Sequence, residues 1–378
     1  MDTWQRHQHV FRLLQRSLNF PISRLFNMTH EDLHVDGPVL LVPNHVCAWD
    51  PLLVAMSLRD KQVYYVASEH LFRLGFVSHL IDYLVAPIPR RKASTGMDTV
   101  KACLRHLKTG HSVCLFAEGE QCWAGQNGPI FPATGKLAKS SGVTLVTYRL
   151  EGGYLSLPRW GKGIRRGRVY GHPVGIYPPE QLQTMTPRQV NDLITRDIRE
   201  DAWERQRLNP VAYRGKNRAE GMERALYLCP RCRRIGTLRT KGNRIFCSCG
   251  LDLEYLETGF FRPESPFSEI AEWDAWQKET LLHRGFSRGE QEGFLFQDGG
   301  VSLYRIDAGH REELLGSGVL QQYEDRLDCA GYRFPLADIS GMADVLANRM
   351  LLTVQGEYYE IRSKGSICFR KYLEIWRK

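Results

Sequence analysis

Between residues 39 and 150 the apolar positions repeatedly change period, which is the pattern of strands alternating with helices. The unbroken run VLLV at 39–42 reads as a buried strand and PLLVAMSL from Pro51 as a helix. VYYVA at 63–67 is the next strand. A helix then runs through His70 to Leu84, and another puts Val100, Cys103, Leu104 and Leu107 on one face before Gly110 ends it. SVCLFAEG and VTLVTYRL add two strands, with the helical stretch FPATGKLAKSSG between them. This alternation predicts an α/β fold, a mostly parallel sheet flanked by helices. A helix opening at Thr186-Pro187, with Gln189 completing a capping box and Val190, Leu193, Ile194 and Ile198 on one side, closes the region near Trp203.

The flanks follow other patterns. In residues 1–30, Val10, Leu14 and Leu18, then Ile22, Leu25 and Phe26, fall at helical intervals with Arg6, Arg12, Arg16 and Arg24 between them. Pro21 is expected to split the segment into two short helices. A basic amphipathic stretch of this kind suits a membrane interface, although its apolar face could equally pack on the following domain. Residues 204–225 are polar and read as a linker. In 259–378, turn signals at QDGG near Gly299, AGY near Gly331 and VQGE near Gly356 separate alternating segments such as VSLYRI, LLTV and YYEIR. A last helix carries Phe369, Tyr372, Leu373 and Trp376 on one face. The expectation is a small β-rich domain with a C-terminal helix, of the general shape of a pleckstrin-homology domain.

A length of 378 residues allows two or three domains, and 43% hydrophobic with 25% charged residues excludes global disorder and fibre. His45, Asp50, His79 and Asp82 interrupt the longest apolar runs before the ~18 residues a membrane span needs, and the N-terminus has no signal-peptide core. A cytoplasmic chain without a transmembrane helix is expected. The net charge of +9 points to an anionic partner: a phosphorylated substrate, an acidic membrane or nucleic acid. Four of the ten cysteines have metal-site spacing, Cys229 and Cys232 as CxxC and Cys247 and Cys249 as CxC. Two such pairs are expected to make a tetrahedral zinc site, with unrelated buried thiols as the alternative. Four protein ligands leave no open position, so the metal is structural and residues 226–258 form a zinc-ribbon-like module.

The candidate chemistry begins at Asn44-His45, followed by Asp50, just past the first buried strand and at the start of a helix. Open α/β sheets bind ligands at the C-terminal ends of their strands. A histidine accepts a proton from an alcohol near neutral pH when a partner fixes its tautomer, and Asp50, read as the helix N-cap, is placed to do so. Isolated, a His-x4-Asp is more often a polar corner beside a helix cap. Three further segments change that balance: APIPRRK at 86–92, FAEGEQ at 116–121, and FPATGKLAKSSGVTLV before the last strand.

In this order the four blocks resemble those of the glycerolipid acyltransferase family, which includes lysophosphatidic acid (1-acyl-sn-glycerol 3-phosphate) acyltransferase, over roughly residues 10–200. The resemblance implies an acyltransferase domain at 31–203, with His45 as general base, Asp50 as its orienter, and Asn44, Arg90, Arg91, Glu118 and Gly119 as substrate-binding residues. It implies acyl-CoA or acyl carrier protein as donor, a lysophospholipid as acceptor, no catalytic cofactor, and a place on the anionic inner face of the cell membrane. Oxyanion donors are expected from backbone near the Asn44 or Glu118 turns. The third block departs from the family's common Phe-Pro-Glu-Gly-Thr-Arg: the arginine that binds phosphate is replaced by Gln121, and Glu120 adds a negative charge. Either another cation takes over or the acceptor has a different head group. Segment PRWGKGIRRGR, with Arg159, Lys162, Arg165, Arg166 and Arg168, is a candidate source of phosphate or membrane contacts. A zinc-ribbon nucleic-acid-binding protein and a regulatory pseudoenzyme are the alternatives. Nucleic acid is not the expected partner, because the ribbon lacks interleaved aromatic and basic residues.

Overall fold

The computed structural model describes residues 3–378 apart from 60, 74, 94–95, 263–265, 287–292, 308 and 347. The chain divides into two compact units. The first runs to Gly215; the second holds the rest of the chain together with two short excursions, Lys92–Ala93 and Trp160–Lys162.

The first unit contains α1 (Thr3–Phe26), β1 (Met28–His30), β2 (Val39–Pro43), α2 (Asp50–Met56), β3 (Val63–Ser68), α3 (Phe76–Val85), β4 (Ile88–Arg90), α4 (Met97–Lys108) and β5 (Ser112–Cys114). It continues with α5 (Ala133–Ser141), β6 (Thr144–Glu151), α6 (Gly153–Ser156), β7 (Val169–Tyr177), α7 (Pro179–Gln183), α8 (Pro187–Asp197) and α9 (Ala202–Leu208). Its seven strands lie in the order β1-β7-β6-β2-β5-β3-β4. Every neighbouring pair is parallel except β6–β7. β2 is therefore central, and all five residues of the strand are buried. The C-terminal ends of β2, β3, β4, β5 and β6 share one edge of the sheet, which brings together loops far apart in sequence. Leu40, Val42, Val113, Leu145, Leu137 and Ile194 form part of the core between sheet and helices. The capping box of α8 is present, Gln189 N donating to Thr186 Oγ1 at 3.2 Å and Thr186 N to Gln189 Oε1 at 2.7 Å.

Several expectations need correction. Pro21 does not break α1, which is one helix of 24 residues. Pro21 is exposed, so water can satisfy the carbonyl its missing N–H leaves behind, while Phe11 and Gln15 on one side and Ile22 and Phe26 on the other are buried and anchor both halves. The helix at α2 begins one residue earlier than the cap assignment required: Trp49 is the N-cap, and Asp50 and Pro51 are its first two residues. APIPRRK contributes a short strand, β4, parallel to β3. The polar stretch 204–225 contains most of α9 and buries Gln206, Tyr213 and Met222.

The second unit has a four-stranded antiparallel ribbon, β8 (Leu238–Lys241), β9 (Arg244–Cys247), β10 (Asp252–Tyr255) and β11 (Phe261–Arg262). After α10 (Ile270–Leu282) come β12 (Phe296–Ile306), β13 (Glu312–Gln322), β14 (Arg326–Cys329), β15 (Tyr332–Pro335), β16 (Ile339–Val345), β17 (Arg349–Val354), β18 (Glu357–Ser363) and α11 (Arg370–Trp376). β12–β18 form one antiparallel sheet in the order β15-β14-β13-β12-β18-β17-β16. Turns fall at Ala330-Gly331 and Gln355-Gly356, where both residues of each pair have positive φ, the geometry that matches strand twist in a two-residue hairpin. Gly299 does not make a turn. It lies inside β12 at a bulge against β13.

α10 was not anticipated. Its buried Asp274 accepts two hydrogen bonds from Arg370 of α11, at 2.8 and 2.9 Å. Burial alone would raise this carboxyl; Arg370 and Lys278 outweigh it and hold it down at about 2.

Candidate active site

His45 stands two residues beyond the C-terminal end of β2. Its Nδ1 lies 2.7 Å from Asp50 Oδ2. The same oxygen accepts from Val46 N at 2.6 Å and Cys47 N at 2.9 Å, and Cys47 Sγ donates to Oδ1 at 3.1 Å. Asp50 is fully buried. It therefore closes the turn before α2 rather than capping the helix, and its position relative to the imidazole is fixed by three further donors. With Nδ1 engaged, Nε2 is the nitrogen available for chemistry. The ring stacks on Phe116, centroids 4.4 Å apart, and its side chain is 17% exposed.

Glu118 follows β5, the neighbour of β2. Its carboxylate accepts from His45 N, Asn127 Nδ2 and Gly128 N, each at 2.8 Å. Burial pushes its carboxyl up to about 7, against the opposing pull of those three donors. Glu118 is thus a tie beneath the site, joining the His45 turn to the loop at 127–128. Asn44 has a similar part: its amide donates to Leu150 O at 2.9 Å and accepts from Leu150 N at 2.7 Å, and the residue is fully buried. Both residues, expected to touch substrate, have their polar atoms bonded to protein. The expected oxyanion donors at the Asn44 turn are engaged too, since His45 N donates to Glu118 and Val46 N and Cys47 N to Asp50.

Gly119 has φ +73° and no room for a side chain, because a Cβ there would sit 2.2 Å from Phe131 Cε2. Phe131 in turn carries Arg90, whose guanidinium carbon is 4.2 Å from the ring centre. Phe131 therefore lies between Arg90 and the third-block glycine. Arg91 is separate: its Nε is 3.9 Å from Glu69, and its side chain is 45% exposed. Lys92 belongs to the second unit, where Nζ donates to Asp344 O.

Glu120 is paired. Arg159 Nη1 donates to its Oε2 at 3.1 Å and to Gln121 O at 3.3 Å, and the guanidinium stacks on Trp123 at 4.3 Å. Arg159 was visible in the sequence only as one cation of a basic run. Beside this loop is an apolar cavity of about 380 Å³ whose wall includes His45, Phe116 and Gln121. Phe11 and Leu18 of α1, Leu52 and Met56 of α2, and Val66 of β3 also line it. The contribution of α1 to this wall was missed; the signal was the apolar stripe, read as facing either lipid or a neighbouring domain.

In the second unit, the sulfurs of Cys229, Cys232, Cys247 and Cys249 all lie within 4.8 Å of one another. Cys229 and Cys249 are 3.6 Å apart, and Cys232 and Cys247 are 3.8 Å apart. A tetrahedron with ~2.3 Å zinc–sulfur bonds has edges of ~3.8 Å, so the four positions fit such an ion.

Residues 25–151 match the sequence profile of the Acyltransferase family. A chloroplastic 1-acyl-sn-glycerol-3-phosphate acyltransferase of Arabidopsis thaliana is 27% identical over 130 residues, 34% of this chain and 36% of that protein. Its counterpart in Brassica napus is 26% identical over 130 residues, 34% and 37% of the two chains. The match thus spans little more than a third of each relative's length. Among solved structures, the 1-acyl-sn-glycerophosphate acyltransferase of Thermotoga maritima aligns with a TM-score of 0.43 at 18% identity, over 52% of this chain and 82% of that one.

Proposed function

We infer that this chain, with its acyltransferase-family domain at residues 25–151, is an O-acyltransferase that moves a fatty acyl group from a thioester to the hydroxyl of a lysophospholipid, 1-acyl-sn-glycerol 3-phosphate. The observation that carries the reading is His45, paired with the buried Asp50, in the wall of an apolar cavity. The acceptor oxygen attacks the thioester carbonyl as His45 Nε2 takes its proton; the carbon–sulfur bond then breaks and the imidazolium returns the proton to the leaving thiolate. Asp50 steadies the ring through Nδ1. The cavity suits an alkyl chain, each buried methylene contributing about 0.8 kcal/mol. Acyl-CoA or acyl carrier protein supplies the thioester.

The four cysteines would hold a structural zinc, with no part in the transfer. No helix among the described residues is long and apolar enough to cross a membrane. α1 exposes Leu13, Phe20 and Leu25, and α3, which packs on it, exposes Phe76, Val77, Leu80 and Tyr83. With Arg12, Arg16 and Arg24 also exposed on α1, this surface suits the anionic cytoplasmic face of a membrane, from which a lysophospholipid would be drawn.

Thiol release from acyl-CoA, measured with a panel of lysophospholipids, tests the function directly. His45→Ala is expected to lower turnover by about 10²–10⁴-fold while leaving the thermal midpoint near that of the parent. Near-normal turnover in that variant would remove His45 as the base.

A further inference from the structure

No Asp or Glu occurs between Glu151 and Glu180, nor between Glu204 and Glu220, and the fold of the first unit brings these two acid-free segments side by side. We propose that Arg166, Arg168 and Arg214, together with Arg24 in the last turn of α1, form a cationic rim that docks on anionic lipid headgroups and turns the His45 edge of the sheet toward the bilayer. The inference rests on the acyltransferase reading above and concerns where that site meets its lipid.

A short antiparallel bridge builds the rim. Arg166 N donates to Arg214 O at 2.8 Å and Arg214 N to Arg166 O at 3.0 Å, which sets the two residues directly opposite each other with their side chains on one face. Burial alternates along the same segment: Arg165, Gly167 and Val169 are buried, while Arg166 and Arg168 are exposed, as is Arg214. The inward face fixes the outward one. A Cβ on Gly167 would sit 2.1 Å from the Tyr213 ring, and the buried Tyr213 donates its OH to Arg168 O at 2.9 Å. Among the described residues neither Arg166 nor Arg168 has a carboxylate partner. Glu31, at the end of β1, is engaged by Tyr170 OH.

Strand directions put this rim at the catalytic edge. β7 is antiparallel to β6, so Val169, where β7 starts, lies toward the C-terminal end of β6; β1 is parallel to β7, and its Met28 pairs with Val169. α1 therefore ends at the edge that carries His45. Asn27 Nδ2 donates to Gly167 O at 2.7 Å, tying the end of the helix to the rim, and Phe26 packs on Trp49, the residue before α2, with ring centroids 5.5 Å apart. The last two turns of α1 expose Phe20 and Leu25 as well as Arg24. Apolar side chains beside cations fit a lipid surface, where the former enter the boundary and the latter meet phosphate. An acidic protein would use the charges and leave Phe20 and Leu25 in water.

Partitioning of the full chain is measured by co-sedimentation with vesicles of phosphatidylcholine alone and of phosphatidylcholine with phosphatidylglycerol. Each charge removed is expected to cost about fivefold on the anionic vesicles, so Arg166→Gln with Arg168→Gln should lower partitioning about 25-fold. Binding to the neutral vesicles and the thermal midpoint should not change, and added salt should bring the parent down to the variant. Thiol release from acyl-CoA is then followed with 1-acylglycerol 3-phosphate, offered in the anionic vesicles or as a soluble short-chain form; the variant should lose rate only on the vesicles. If that variant does not fold, Arg24→Gln with Arg166→Gln decides by the same comparison. Equal loss on both kinds of vesicle, or none, overturns the proposal. So does intact partitioning with a raised KM for acyl carrier protein, which would make the rim a docking surface for an acidic protein. Parent protein that releases no thiol with any acceptor overturns the acyl-transfer reading itself; partitioning that ignores the arginines overturns only this assignment.

Discussion

Glu118 shows how one residue can look like a ligand in sequence and act as a fastening in space. Its carboxylate binds three protein donors and lies under His45 rather than in the cavity wall. Because folding raises its carboxyl from about 4.5 to about 7, the folded protein keeps this proton over a range where the unfolded chain has released it. Stability attributable to Glu118 therefore falls as pH rises across that interval. Glu118→Gln, which cannot titrate, is expected to flatten the dependence of the thermal midpoint on pH between about 4.5 and 7 relative to the parent, read by calorimetry; an unaltered slope would refute the role. His45 and Asp50 could be read from sequence because they lie within five residues of each other, close enough for local pattern to report them. Arg159 with Glu120, and Asn44 with Leu150, meet only through the sheet, 39 and 106 residues apart, and no local period encodes such pairs.

At the scale of elements, strands with uninterrupted apolar runs were legible and α10 was not. α10 hides Asp274 and Gln277 inside, so its apolar stripe is broken; the partner that makes this tolerable, Arg370, comes 96 residues later. Pro21 misled in the opposite direction, since a proline breaks a helix only where neither water nor packing compensates it. The cysteine module was read correctly as a cluster because CxxC and CxC fix each pair locally. Elemental analysis of the purified chain should find about one zinc per molecule. Removal by a strong chelator should expose four reactive thiols together and open β8–β10 to proteolysis, whereas thiols that react one at a time without metal release would exclude a shared ion.

For the molecule as a whole, the alternation of strand and helix was enough to predict a parallel sheet, because crossover helices must bury both of its faces. Which surface remains apolar required the fold. Phe20→Asp combined with Phe76→Asp places two carboxylates on the exposed face of α1 and α3, where the aromatic side chains are 75% and 80% exposed. Co-sedimentation with vesicles containing anionic lipid should drop several-fold, with the thermal midpoint hardly changed; full retention would assign the membrane contact elsewhere. One feature of the second unit bears on how the chain matures. Lys92 and Ala93 lie against strands made some 250 residues later: Lys92 Nζ bonds Asp344 O, and Thr353 Oγ1 and Tyr358 OH bond the carbonyls of Ala93 and Lys92, at sequence separations of 252, 260 and 266. On the ribosome this dipeptide emerges well before its partners exist, so its final contacts form only after synthesis is nearly complete. A chain cut at residue 215 would carry the dipeptide with nothing to receive it.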